Sequence, residues 1–221
     1  MKLYSQHPKA STSINFEQKL IDSLIEIEDN IDLIIESGTY TGLGSTKMLA
    51  DIFIKDIITI ETNENFYLMA KENLKPYTYV ECINGLSLNY NECINFILND
   101  DYIKNHQNYD NIYIDNIDDP MESYRNEIIP STNENVLINK IIENYDKKLL
   151  IVLDSAGGIG YLEFQKVMET MKDKSFYLLL DDINHIKHYR SYQDILKNKD
   201  FNILISDEFD GYLLCKYDPA C

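Results

Sequence analysis

Several short runs in this chain are apolar almost without interruption, and a run of that kind fits a strand buried on both faces. They are Ile31 to Glu36, Asp56 to Ile60, Leu149 to Leu153 and Phe176 to Leu180. Strands buried on both sides belong to parallel sheets covered by helices. Between the runs, apolar residues recur at helical spacing. Ile14 to Glu28 carries Phe16, Leu20, Ile21, Leu24 and Ile25 on one face, with Ser13 as its cap, and Ser45 to Ile52, Glu64 to Leu74 and about Tyr161 to Met171 follow the same pattern. A further strand is expected near Tyr77 to Ile83. Phe201 to Ser206 and Gly211 to Tyr217, separated by an acidic turn, read as an antiparallel hairpin at a sheet edge. Strands alternating with helices predict an α/β domain with a mostly parallel sheet, and such sheets take ligands at the carboxyl ends of their strands.

The 221 residues are 44% hydrophobic, enough to build the core of one domain. Lys and Arg number 20 against 37 Asp and Glu, a net charge of -17, which repels phosphate backbones and anionic membranes and argues against nucleic-acid and membrane partners. No stretch reaches the ~18 consecutive apolar residues of a membrane span, and the first residues show no apolar core of a signal peptide, so a soluble, cytoplasmic protein is expected. Cys82, Cys93, Cys215 and Cys221 form no CxxC pair and are read as reduced and structural. Asn91 to Lys148 is polar, acidic and longer than a simple connection. It is expected to be an inserted helical or lid-like segment, with an extra strand at Asn111 to Ile114. Assembly of identical chains is left open.

Three constellations could carry chemistry. The first is the loop Glu36 to Thr46, ESGTYTGLGST, where Gly38, Gly42 and Gly44 let the backbone bend tightly and Ser45 and Thr46 begin a helix able to receive an acceptor group. Its spacing is wrong for the dinucleotide GxGxxG fingerprint, and no GK[ST] occurs to support a triphosphate loop. Glu61 ends the second strand, where a carboxylate can accept hydrogen bonds from two ribose hydroxyls. The third is split between two strand ends: Asp154 after LLIVL, and Asp181 with Asp182 after FYLLL. Three converging carboxylates repel unless a cation or bound protons relieve them, and oxygen ligands of this kind suit Mg or Ca over zinc. Acidic residues that merely end apolar strands explain the same pattern. His185, in DDINHIKHYR, is a candidate general base, with His188 and Tyr189 behind it.

Taken together, ESGTYTGLGST, IETNENF at Glu61, INGLS around Gly85, LDSAGGIGYLEF at Leu153 to Phe164 and LLLDDINH at Leu178 to His185 resemble the class I S-adenosylmethionine-dependent methyltransferases, in the branch of catechol-type and antibiotic-sugar O-methyltransferases. The resemblance spans roughly residues 30 to 217. It implies a Rossmann-like three-layer sandwich whose seven-stranded, mostly parallel sheet has one antiparallel strand. It implies that the loop from Glu36, with Gly38, Tyr40, Gly42, Ser45 and Thr46, holds the methionine part of the cofactor. Glu61 with Thr62 would bind its ribose, Gly85 would border the adenine, and Asp154 would lie beside the reacting centre. Asp181 and Asp182 would complete a magnesium site with Asp154, and methyl would pass to an oxygen of a small molecule or saccharide. The run SAGGIGYLEF after Asp154 departs from the family's histidine-rich turn, so its glycines suggest a different contact there. A diverged metal-binding, hydroxylase-like enzyme and a non-catalytic nucleoside-binding interaction protein are the competing readings.

Overall fold

The computed structural model describes residues 14, 16–105, 120–155 and 158–220. Seven strands form one sheet: β1 (Leu33–Ser37), β2 (Asp56–Glu61), β3 (Val80–Asn84), β4 (Leu149–Leu153), β5 (Phe176–Leu180), β6 (Phe201–Asp207) and β7 (Tyr212–Tyr217). Their order is β3-β2-β1-β4-β5-β7-β6, with β7 antiparallel to both neighbours and every other pair parallel. The expected hairpin is present, and its second strand inserts against β5 so that β6 is the edge. The chain winds from β1 towards β3, then crosses back to β4 and winds the other way. That reversal opens a crevice at the carboxyl ends of β1 and β4.

All five residues of β1 and of β4 are buried, because helices cover both faces. Leu33 and Ile35 face one cluster with Leu149, Ile151 and Leu153, closed by Val136, Leu137 and Ile141 of α7 (Val136–Glu143), Phe164 and Val167 of α8 (Gly160–Thr170), and Tyr192 and Ile195 of α9 (Tyr189–Lys197). Ile34 faces the other way with Ile57, Leu150 and Val152, under Leu20, Leu24 and Ile27 of α1 (Gln18–Ile27) and Leu49 and Ala50 of α2 (Ser45–Ile52). The side-chain period of two along a strand divides the apolar run between two cores, which is why the run shows no polar alternation.

Some boundaries shift for local reasons. α1 starts at Gln18, since Glu17 holds an extended conformation and its carbonyl takes the amides of Leu20 and Ile21; Ser13 lies outside the described residues. β3 starts at Val80 and not Tyr77, because Tyr77 closes a turn onto Leu74 and Val80 a turn onto Tyr77. α3 (Glu64–Asn73) precedes that turn.

The stretch expected as an insertion is mostly helical where described: α4 (Tyr90–Asn99), α5 (Asp101–Lys104), α6 (Pro120–Glu127) and α7, which packs on β1. Leu88, Cys93, Ile97, Ile103, Tyr124 and Ile128 form a third apolar cluster that docks on Ile159 and Leu162 at the start of α8. The strand expected at Asn111 to Ile114 lies outside the described residues. Among those described, no helix is long and apolar enough to cross a membrane.

Candidate active site

The crevice at the strand ends is a cleft of about 350 Å³, within the range of small-molecule sites. Its floor is the turn after β1. Gly38 has φ +103° and approaches so closely that a Cβ would lie 2.0 Å from the carbonyl oxygen of Asp154, so only glycine fits. The amides of Gly38 and Thr39 both donate to the carbonyl of Ile60, and Asp154 donates its amide to Ser37, which locks β1, β2 and β4 together at this level. Tyr40 follows at φ 52°, an uncommon conformation for a residue with a side chain. That conformation directs its amide to Glu61 Oε2 at 2.7 Å, while the amide of Asn63 donates to Oε1 at 2.7 Å. The Thr62 amide bonds to the same carboxylate, which keeps part of its acceptor capacity free. Burial pushes the Glu61 carboxyl up, and these backbone amides oppose the shift.

Gly38, Tyr40, Glu61, Thr62, Gly85 and Asp154 all line the cleft. Phe66 joins them, its ring 4.5 Å from that of Tyr40, and Leu86, Ile128 and Ile129 make the opposite wall apolar. Gly85 is fixed by its amide to the Glu61 carbonyl at 3.0 Å.

Glu36, Gly42, Ser45 and Thr46 do not line the cleft. Glu36 is fully buried, and its Oε2 accepts from Thr46 Oγ1 at 2.5 Å and Thr59 Oγ1 at 2.6 Å, with the Ser45 hydroxyl also bonded to the carboxylate. Burial raises this carboxyl to about 7. Glu36, Ser45 and Thr46 thus hold the loop from behind the cleft.

The three aspartates gather around a lysine, and their oxygens do not close to the mutual spacing that one metal ion would need. Lys187 Nζ lies 3.0 Å from Asp154 Oδ1, 3.0 Å from Asp182 Oδ2 and 3.9 Å from Asp181 Oδ2, with its side chain 5% exposed. Burial works against the ammonium, but the three carboxylates outweigh it and hold its pKa well above that of a free lysine. Burial pushes Asp154 up, with Lys187 opposing. Burial and then the charges of Asp154 and Asp182 push Asp181 much further, making it the carboxyl most disposed to keep its proton. At Asp182 burial also acts upward, but Lys187 prevails and the pKa falls.

His185 stands away from the cleft lining, 3% exposed, and its Nδ1 accepts the amide hydrogen of Lys187 at 3.2 Å. That bond, with Tyr124 edge-on to the ring, builds the turn that carries Lys187. His188 is wholly buried against Ser191, and burial holds it well below the usual histidine range.

Two further residues shape the site. Lys187 lies inside the run DDINHIKHYR, where the acids and histidines carry the visible signal. Glu163 is fully buried; it accepts from Ser37 Oγ at 2.8 Å and Ser155 Oγ at 2.5 Å, and Ser87 also bonds to it, so it ties three cleft-lining serines together. Its signal was an acid four residues before buried Val167, on the apolar stripe of α8.

No protein-family model matches the chain, and no curated protein matches it. Solved structures do. A methyltransferase from Geobacter sulfurreducens is 13% identical with a TM-score of 0.53, covering 99% of this chain and 94% of that one. The O-methyltransferase from Bacillus cereus in complex with SAH is 13% identical with a TM-score of 0.51, covering 97% and 94%. At such identity the likeness is one of fold, and it extends over nearly the whole of each chain. The chain has the Rossmann-like α/β fold of these methyltransferases.

Proposed function

We propose that the protein is an S-adenosylmethionine-dependent methyltransferase acting on an oxygen of a small molecule or saccharide. The observation that carries this reading is the Glu61 carboxylate, held by the amides of Tyr40 and Asn63 at the rim of a cleft whose other edges are Gly38, Gly85 and Asp154. A carboxylate so oriented suits the paired hydroxyls of a ribose. When bound, the cofactor supplies a sulfonium methyl carbon that an oxygen lone pair can attack, the C–S electrons staying with sulfur. The chain's own part is to orient and to exclude water. The Glu61 carboxylate fixes the nucleoside, Phe66, Ile128 and Ile129 give apolar walls, and Asp154 presents an acceptor for the hydroxyl hydrogen of the substrate.

Magnesium, implied by the resemblance, does not fit the residues present. The Lys187 ammonium stands among the carboxylates that would hold it, and no part of the reaction is assigned to a metal.

Calorimetric titration with S-adenosylmethionine and with its demethylated product tests the reading. Glu61→Ala, checked by circular dichroism to be folded, is expected to bind at least about tenfold more weakly, or about 1.4 kcal/mol. If the folded native chain takes up neither nucleoside, the assignment falls.

A further inference from the structure

We propose that Lys187 is the resident cation of this site: its ammonium takes the place among Asp154, Asp181 and Asp182 that a divalent ion would hold, and the centre works without metal. The consequence for the reaction rests on the methyl-transfer reading above; the exclusion of ions does not.

The lysine is built into the fold. Its side chain is buried to nineteen parts in twenty, within 3.0 Å of two carboxylates and 3.9 Å of the third. Its path is cleared by Gly160 at the start of α8, where a Cβ would lie 2.5 Å from Lys187 Cγ and 2.9 Å from its carbonyl oxygen. Gly160 belongs to the run SAGGIGYLEF, so the departure from the family pattern and the lysine are two sides of one contact. From below, the His185 ring accepts the Lys187 amide, and the next residue is pinned through Ser191. A hard divalent ion needs oxygens at about 2.0–2.6 Å. It could enter only by expelling a buried ammonium and leaving that charge without partners, which is strongly unfavourable.

The chemistry that follows concerns the acceptor. Of the quartet, Asp154 lines the cleft, so a substrate meets a carboxylate held by an ammonium. Such a group takes one hydrogen bond from a single hydroxyl or amine. It offers no open coordination positions to chelate vicinal oxygens.

The test is titration of the whole protein with manganese, followed through the electron paramagnetic resonance signal of the free ion, with S-adenosylmethionine titrated calorimetrically into the same samples with and without chelator. The unaltered chain and Asp181→Asn are expected to take up the same amount of manganese at millimolar ion, held by outlying acids such as Glu17, Asp207 and Asp210, and the cofactor affinity is expected to be the same in chelator. Lys187→Ala vacates the position and is expected to gain one-to-one manganese binding, lost again when Asp181→Asn is added. Saturable binding of manganese by the unaltered chain, abolished by Asp181→Asn, overturns the proposal. So does a folded Lys187→Ala that gains no ion, and so does transfer to a vicinal diol that demands an added divalent ion. If Lys187→Ala fails to fold, the comparison of the unaltered chain with Asp181→Asn decides alone. Absence of cofactor binding, with manganese uptake that Asp181→Asn leaves unchanged, refutes the methyl-transfer reading and leaves the ion result standing.

Discussion

Glu36 should make the protein less stable as the pH rises through neutrality, and a single substitution isolates the effect. Its carboxyl is fully buried between β1 and the first turn of α2, and burial, with a smaller push from Asp154, raises it from 4.5 to about 7. The hydroxyls of Ser45, Thr46 and Thr59 oppose the shift without cancelling it. An acid whose folded pKa lies above its unfolded value binds its proton more tightly in the fold. The fold therefore bears no cost below about 4.5, and the cost grows until the pH passes about 7. At about 1.4 kcal/mol per unit, the full cost is about 3 kcal/mol, of which about 2 kcal/mol develops between pH 5.5 and 8. Glu36→Gln removes the titration, while its amide oxygen still accepts from Thr46 and Thr59. The measurement is urea unfolding of both proteins by circular dichroism across that pH range, comparing their difference so that all other groups cancel. Glu36→Gln is expected to gain about 2 kcal/mol on the native chain from the acid to the alkaline end. A difference that stays flat with pH, or that turns against the glutamine, refutes the reasoning, because it would mean that the three hydroxyls already hold the carboxylate ionised at no cost.

Three further outcomes follow from contacts around the cleft. Gly38→Ala places a methyl 2.0 Å from the Asp154 carbonyl at a positive φ, so it should cost more than about 3 kcal/mol in thermal unfolding and weaken cofactor binding as β1 and β4 part. Glu163→Leu leaves the hydroxyls of Ser37, Ser87 and Ser155 without their shared acceptor, an expected loss of at least about 3 kcal/mol that urea unfolding would read; an unchanged midpoint would show that they find other partners. Arg190→Ala removes the pair with Asp100 at 2.8 Å and the guanidinium from above the rings of Tyr161 and Tyr102, for a loss of about 2 kcal/mol. Hydrogen exchange should then quicken over residues 90–105 and leave β4 and β5 protected.

The sheet could be read from the sequence because LLIVL and FYLLL are apolar almost throughout and each is followed by an acid, which leaves a helix no polar side to show. β3 could not be bounded as well, because its half-exposed residues carry no such signal and the turns closed by Tyr77 and Val80 depend on backbone bonds. Two of the cleft's carboxylates, Glu61 and Asp154, were legible one by one, each at a strand end; Glu127, which ends α6, was not. Lys187 was not, since nothing in a run of residues says that a lysine will turn inward; that depends on the space left by Gly160, 27 positions away in the chain. Glu36 shows where a stricter reading would have succeeded. Side chains alternate along a strand, so Glu36 shares the face of Ile34 and points at α2, where Thr46 waits for it, while Ser37 shares the face of Ile35 and points at Glu163 on α8. Thr59 lies beside Glu36 in the register of β1 and β2, and Ser155 follows the aspartate that caps β4. Two buried carboxylates thus pin the end of β1, one from each side of the sheet, to β2 and α2 on one face and to the β4 turn and α8 on the other. The glycine turn between them is held by its roots, and this frees Tyr40 to spend its backbone amide, in a strained conformation, on aiming Glu61. In that division of labour Glu36, Ser45 and Thr46 anchor the glycine loop from behind, while the turn itself, Glu61 and the lysine-held Asp154 face the cleft.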